Sequence, residues 1–231
     1  MKIPAALVVG TLLSLSCSRT PPPQTSSRYT PPGFTPPGSP ASRTSGVQTG
    51  SAAFDYYLLN LSWAPEFCHS KPDNPECSGN FGFIVHGLWP QNSAGGYPSN
   101  CGNQPGPTDP SSLLDIMPDL HLIQHEWTTH GTCTGLAADD YFALIRRVRA
   151  SLKIPPDFVA PQQQLTVRPA DLKREFEQAN PGVTDSGIAV SCGGPYLVAV
   201  EICFTKDGKP AQCGGDIRDC NKPSIRVPKV Q

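Results

Sequence analysis

Three of the five histidines lie in two short segments where they could support acid–base chemistry. His86 lies in the segment FIVHGLWP at residues 83 to 90, and His125 and His130 lie in HEWTTHGTC at residues 125 to 133. Imidazole can donate or accept a proton near neutral pH. Two histidines can therefore serve as base and acid in one reaction, as cleavage of a phosphodiester by a neighbouring hydroxyl requires.

A His-Glu pair followed by a later histidine also occurs in zinc proteases, where the two histidines are four residues apart on one face of a helix. His125 and His130 are five residues apart, which places them about 140° apart around a helix axis. Glu126 and His130 would instead share a face. This spacing predicts an acid beside a base, and we expect neither a metal ion nor another cofactor. The alternative, a metal-dependent phosphodiesterase, predicts loss of activity in chelator.

The elements that must position these residues are strands and amphipathic helices. Apolar, β-rich runs predict strands at residues 56 to 63 and 81 to 86, and further strands between 187 and 204. Periodic apolar residues predict helices at 139 to 152 and at 169 to 179, the second ending before Asn-Pro-Gly. Strands and helices in this order indicate an α+β domain.

The first helix carries three arginines near its C-terminal end: Arg146, Arg147 and Arg149. They fit an RNA-binding patch, and they fit equally a solvated helix face stabilised by the helix dipole. Residues 51 to 231 hold all 19 acidic residues and 14 of the 18 basic ones, a net charge of −5. A domain that held nucleic acid by its overall field would be strongly basic. Any contact with RNA must therefore be local to a cleft.

The N-terminal 50 residues differ in composition from the rest of the chain. Residues 1 to 16 predict a signal peptide, with Lys2 before a short apolar run. Cleavage there would leave Cys17 at the new N-terminus, which predicts a lipid anchor; a plain signal with an incidental cysteine is the alternative. Residues 17 to 50 are rich in Pro, Ser and Thr and predict a disordered tether. We expect an exported protein that is periplasmic, anchored to the outer membrane or extracellular.

Without Cys17, eight cysteines remain, an even number that predicts four disulfides in an exported chain. Eight cysteines allow 105 pairings, so spacing alone leaves the connectivity open. A zinc site would show close Cys-x-x-Cys pairs, and this sequence has none.

The two histidine segments, read as FIVHGLWPQ at 83 to 91 and HEWTTHGTC at 125 to 133, resemble the active-site segments of the ribonuclease T2 family. The resemblance extends through LSWAPEFC at 61 to 68 and ANPG at 179 to 182, and it covers about residues 54 to 228. It implies an α+β fold with a central antiparallel sheet and flanking helices, in a domain spanning residues 51 to 231. It also implies these disulfides: Cys68–Cys77, Cys101–Cys133, Cys192–Cys220 and Cys203–Cys213.

The resemblance also implies catalytic roles. His130 would be the general base that takes the proton of the 2′-hydroxyl, and His86 the general acid that protonates the departing 5′-oxygen. The product would be a 2′,3′-cyclic phosphate, made without a metal ion. His125 would bind the phosphate, and Glu126 would act with it to stabilise the five-coordinate transition state.

Base contacts follow from the same resemblance. Trp89 would stack on a base, a source of binding that tolerates many sequences. Gln91 would contact the base as well, although relatives carry an acid at this position. The predicted substrate is single-stranded RNA, cleaved with low sequence specificity by a monomer.

Thr129 departs from the family pattern, which has a lysine immediately before the base histidine. Removing one preorganised donor of this kind costs on the order of 10² to 10³ in rate, so the sequence predicts a slow enzyme. The alternative is a catalytically weak or inactive module that binds RNA or a surface partner. His69 and His121 lie outside the matching segments and are expected to be structural, and Trp63 and Trp127 are expected in the core.

Overall fold

Six strands form one sheet in the computed structural model, which describes residues 53 to 230. The strands are β1 (Tyr56–Trp63), β2 (Phe83–Gln91), β3 (Leu165–Val167), β4 (Ile188–Gly193), β5 (Tyr196–Phe204) and β6 (Ile225–Val227). Their order is β2-β1-β5-β6-β3, and β4 also pairs with β5. The predicted antiparallel sheet is correct except at one place, because β5 and β6 pair in parallel through Tyr196 and Arg226. The sheet is therefore mixed.

Strand β1 is central, and all eight of its residues are buried. Its odd-numbered residues, Tyr57, Leu59, Leu61 and Trp63, belong to the main hydrophobic core. Tyr56 and Leu58 pack on the opposite face in a smaller cluster with Cys203. A strand buried on both faces has a continuous apolar sequence instead of an alternating one, which is why this run was recognisable.

Within the described residues, four α-helices accompany the sheet: α1 (Ala64–Ser70), α2 (Leu120–Thr129), α3 (Ala138–Ser151) and α4 (Pro169–Ala179). Helix α3 begins one residue before the predicted start, with acidic residues in its first turn, and α4 has the predicted bounds. Helix α2 begins after Asp119, whose carboxylate accepts a hydrogen bond from the N–H of His121 at 2.8 Å. This cap satisfies a donor that the first turn would leave free.

The structure contains the four disulfides that the resemblance implied. Trp63 and Trp127 are buried in the core, as predicted. In the part of the chain that is described, no helix is long and apolar enough to cross a membrane. The predicted signal peptide, the tether and Cys17 lie outside the described residues.

Candidate active site

The first site residue, His86, lies in a β-bulge. Strand β1 pairs Asn60 with Gly87 and Leu61 with Val85, so His86 is left without a partner on β1. Bulges of this kind redirect a side chain and are common beside active sites. The His86 side chain is 20% exposed, and its Nδ1 lies 3.9 Å from Oε1 of Glu126.

The other site residues lie at the end of α2. His125 and Glu126 belong to its last turns, and His130 is its C-terminal cap, with φ −116° and ψ −47°. The N–H of His130 donates to the carbonyl of Glu126 at 3.0 Å. The rings of His125 and His130 are 6.4 Å apart between centroids. The structure therefore brings three histidines and one carboxyl group together from β2 and α2.

The argument from helical spacing was wrong in one respect. One ligand atom each from His125, Glu126 and His130 lie within 4.8 Å of one another. His130 is the C-terminal cap of α2, with a φ of −116°, so regular helical geometry does not fix the direction of its side chain. These three residues could hold a metal ion, and an experiment in chelator is needed to test that alternative.

Glu126 is 1% exposed. The indole Nε1 of Trp89 donates to its Oε2 at 2.7 Å. Burial raises the pKa of Glu126, while the hydrogen bond from Trp89 partly opposes this rise. A neutral carboxyl group at this position can donate a hydrogen bond, which a carboxylate cannot.

The histidines show the opposite shift. Burial lowers the pKa of His86 and of His130, and the neighbouring imidazoles lower both further because positive charges would repel. Burial also lowers the pKa of His125. No lysine or arginine between residues 53 and 230 contributes to these shifts. Without a bound anion the cluster therefore disfavours positive charge, and any such charge must come from protonated histidine.

His130 is 8% exposed, and its Nδ1 is buried without a hydrogen-bond partner among the described residues. Thr129, next to it, is half-buried, with its hydroxyl 3.5 Å from Nδ1 of His125. This hydroxyl stands where the resemblance to the family implies a lysine, so the site lacks the charge that the family pattern would supply here.

Two aromatic rings lie on His130. Trp89 stacks on it at 5.3 Å between centroids, with 29° between the ring planes. Tyr97, which is 36% exposed, lies 5.9 Å away. Tyr97 was not identified from the sequence as a site residue. Its position directly after Gly95-Gly96 was the available signal, because a turn formed by glycines can expose the aromatic side chain that follows it.

The loop that carries Tyr97 is fixed at several points. Gly96 has φ +77°, and its N–H donates to the carboxylate of Asp216 at 2.8 Å. Asn100 is in the left-handed region at φ 54°, and its N–H donates to the carbonyl of Thr129 at 2.8 Å. The adjacent disulfide Cys101–Cys133 joins the loop to the segment after α2. The backbone on both sides of Tyr97 is therefore anchored.

Gln91 is 4% exposed, so its amide is not presented at the surface. This burial is unfavourable to the predicted base contact. His69 and His121 are exposed, in α1 and in the first turn of α2. Arg146 pairs with Asp115 through two hydrogen bonds of 2.7 and 2.8 Å, which supports a structural role for this arginine.

Known ribonucleases are similar to this chain over most of its length. The model of the ribonuclease T2 family matches residues 54–213. A ribonuclease of Aeromonas hydrophila is 34% identical over 194 residues, covering 80% of this chain and 89% of the relative. Ribonuclease MC of Momordica charantia is 32% identical over 181 residues, covering 67% and 91% of the two chains.

Solved structures share the fold. Trichomaglin, described as an S-like ribonuclease, superposes with a TM-score of 0.63 at 22% identity and covers 78% of this chain and 100% of its own. A variant of RNase MC1 in complex with 5′-UMP superposes with a TM-score of 0.61 at 24% identity, covering 74% and 97%. The family match over most of the domain, together with the relative of 34% identity, shows that this chain belongs to the ribonuclease T2 family of RNA-cleaving enzymes.

Proposed function

We propose that the chain is a metal-independent endoribonuclease that cleaves single-stranded RNA, with low sequence specificity, to give 2′,3′-cyclic phosphate ends. The observation that carries the proposal is the convergence of His86, from a bulge in β2, with His125, Glu126 and His130 at the end of α2. Two of these imidazoles suffice for base and acid, and the remaining two groups can bind the phosphate.

The proposed reaction requires a neutral His130 and a protonated His86. Neutral His130 accepts the proton of the 2′-hydroxyl as this oxygen attacks phosphorus. Protonated His86 gives its proton to the 5′-oxygen as the bond from phosphorus to that oxygen breaks. His125 and the neutral carboxyl of Glu126 donate hydrogen bonds to the phosphate oxygens, where charge accumulates in the transition state. The products are a cyclic phosphate and a free 5′-hydroxyl.

Binding of the substrate favours the protonated His86 that this reaction needs. The empty cluster disfavours charge because His130 is buried, His86 is largely buried, and the three imidazoles lie close together. A bound phosphate carries negative charge, which raises the pKa of a neighbouring imidazole. The substrate therefore promotes the protonation of His86 that the reaction requires.

Trp89 and Tyr97 account for base binding. Their rings lie beside His130, and stacking on aromatic rings tolerates every base. Two structurally similar ribonucleases are known in complex with 5′-UMP and with 5′-AMP, which supports the proposal that this chain binds nucleotides. We assign no base contact to Gln91, because it is buried.

Cleavage of a short RNA by the purified full chain in excess chelator tests the function. We expect a cyclic phosphate product, detected by mass, from the parent chain and from His121→Ala, an exposed histidine of the same helix. His130→Ala should give none. Loss of activity in chelator would instead favour a metal-dependent phosphodiesterase. No cleavage in any sample with intact disulfides would favour the alternative of a binding module.

Thr129 is expected to limit the rate. Thr129→Lys should raise kcat by on the order of 10² or more, because it adds a charge next to the transferring phosphate. Thr128→Lys, which places the same charge one residue earlier on an exposed position, is the control. Equal rates in the parent and in Thr129→Lys would show that this position does not limit turnover.

We also propose that the protein is exported and acts as a monomer, with residues 1 to 16 removed and 17 to 50 serving as a tether to lipidated Cys17. Four disulfides support export, because they form in oxidising compartments. The mass of the mature N-terminus distinguishes a lipid-modified Cys17 from an unmodified one.

A further inference from the structure

A groove of about 480 Å³ lies outside the histidine cluster. It is formed by the end of α3, the turn that follows and the start of β2, and its lining includes Phe83, Arg149, Leu152, Lys153, Phe158 and Val159. None of the proposed catalytic residues lines it. Its lining combines two cations with aromatic and aliphatic side chains and contains no acid. A volume in this range suits a small organic ligand.

Arg149 is half-buried in this groove, but it forms no ion pair with any residue between 53 and 230. It donates one long hydrogen bond, at 3.3 Å, to the carbonyl of Leu152. Burial alone lowers its pKa. Burying a guanidinium without a partner is unfavourable. Among the described residues, most of the five N–H donors of Arg149 have no acceptor. Arg146 on the same helix, by contrast, has a carboxylate partner in Asp115.

The walls of the groove are fixed in position. The backbone of Lys153 is bonded in both directions to the side chain of Asn180, at 2.7 and 2.9 Å. Phe83 packs edge-on against Trp63 and Phe176, at 4.8 and 5.7 Å between centroids. A ligand would therefore meet a backbone at Lys153 and a ring at Phe83 that are already ordered, which lowers the entropy cost of binding.

We propose that this groove binds a nucleotide, with its phosphate between the side chains of Arg149 and Lys153 and its base against the apolar wall. A guanidinium fork and an ammonium group match a phosphate. The half-buried ring of Phe83 and the side chain of Val159, which is 57% exposed, offer apolar surface to a planar ring. In a domain of net charge −5, an acid-free groove with two cations is a favourable place for an anion. The choice of a nucleotide over other organic phosphates rests on the proposed function, since RNA cleavage generates nucleotides.

The test is a titration of the ¹⁵N-labelled full chain with 5′-AMP, which has no phosphodiester to cleave. We expect saturable shifts at the amides of Gly82, Leu152 and Lys153, separate from those of Gly87 and Gly131 in the histidine cluster. Arg149→Gln/Lys153→Gln should weaken binding at the groove by about tenfold or more, while the shifts at the cluster persist. Arg147→Gln/Lys222→Gln removes the same charge from exposed positions outside the groove and should change neither.

Several results would overturn the proposal: no saturable shift at the groove, equal affinity in the Arg149→Gln/Lys153→Gln variant, or inorganic phosphate or adenosine alone binding as tightly as 5′-AMP. Measuring dinucleotide cleavage in the same variants separates the test of the groove from the test of the proposed ribonuclease activity. The groove variant should cleave a dinucleotide at the parent rate. A parent chain that binds 5′-AMP in the groove but cleaves nothing would leave the groove proposal standing and refute the proposed function.

Discussion

Gly87→Ala should disable the site without changing any group that reacts. A Cβ atom at this position would lie 2.0 Å from Oε2 of Glu126 and 2.2 Å from Nε1 of Trp89. Ordinary contact needs more than 3 Å, so these atoms must move by about 1 Å, and misplacement on that scale can cost about 10² in rate. The 2.7 Å hydrogen bond from Trp89 to Glu126 would break. Overpacking of this kind also costs about 1 to 3 kcal/mol of stability.

The assay is kcat/KM for cleavage of a dinucleotide, measured together with the free energy of unfolding in denaturant. We expect kcat/KM to fall by about 10², with a chain that still folds and keeps its four disulfides. Gly215→Ala is the matched control, because within the described residues the added Cβ would meet no atom within 4 Å beyond Gly215 and its two chain neighbours. It should leave both quantities unchanged. If Gly87→Ala kept the kcat/KM of the parent, the position of the Trp89–Glu126 pair would not matter for catalysis.

Two further predictions concern pH. Burial lowers the pKa of His86 below its ordinary value of 6.5, so the free enzyme loses its general acid as the pH rises. The value of kcat/KM for a dinucleotide should therefore peak below pH 6.5. An optimum above pH 7 would contradict the assignment of His86 as the acid. Burial raises the pKa of Glu76 from 4.5 to about 7, so the stability it contributes is complete below pH 4.5 and is lost as pH rises through 7. In Glu76→Gln the free energy of unfolding should therefore depend less on pH across this interval, and an unchanged pH dependence would be evidence against a protonated Glu76.

The elements predicted correctly are those that local chemistry determines. Helix α4 begins at Pro169, whose missing N–H costs nothing in a first turn, and ends before Asn-Pro-Gly. Helix α3 has an apolar face and acidic residues at its start. Both patterns depend on residues that are close together in the sequence, so the bounds of these helices can be predicted from the sequence alone.

Strand β2 was predicted too short, because Gly87 and Pro90 are unfavourable inside a strand. The structure continues it from Phe83 to Gln91. Strand β2 is at the edge of the sheet order, so the missing N–H of Pro90 removes no necessary sheet hydrogen bond. Whether a strand lies at an edge depends on pairing with distant segments, which periodicity does not report.

The site itself depends on two irregularities of this kind. A regular helix through His130 would have separated it from His125 by about 140°, and a regular pairing of β2 would have given His86 a partner on β1. The helix instead ends at His130, and the bulge frees His86. Neither departure is visible in hydrophobic periodicity, whereas the short segments around the histidines contain the residues that permit them. Gly87 is the clearest case, because only a residue without a side chain leaves room for the Trp89–Glu126 hydrogen bond beside the bulge. This is why the motifs were informative about chemistry even where the argument from regular geometry was wrong.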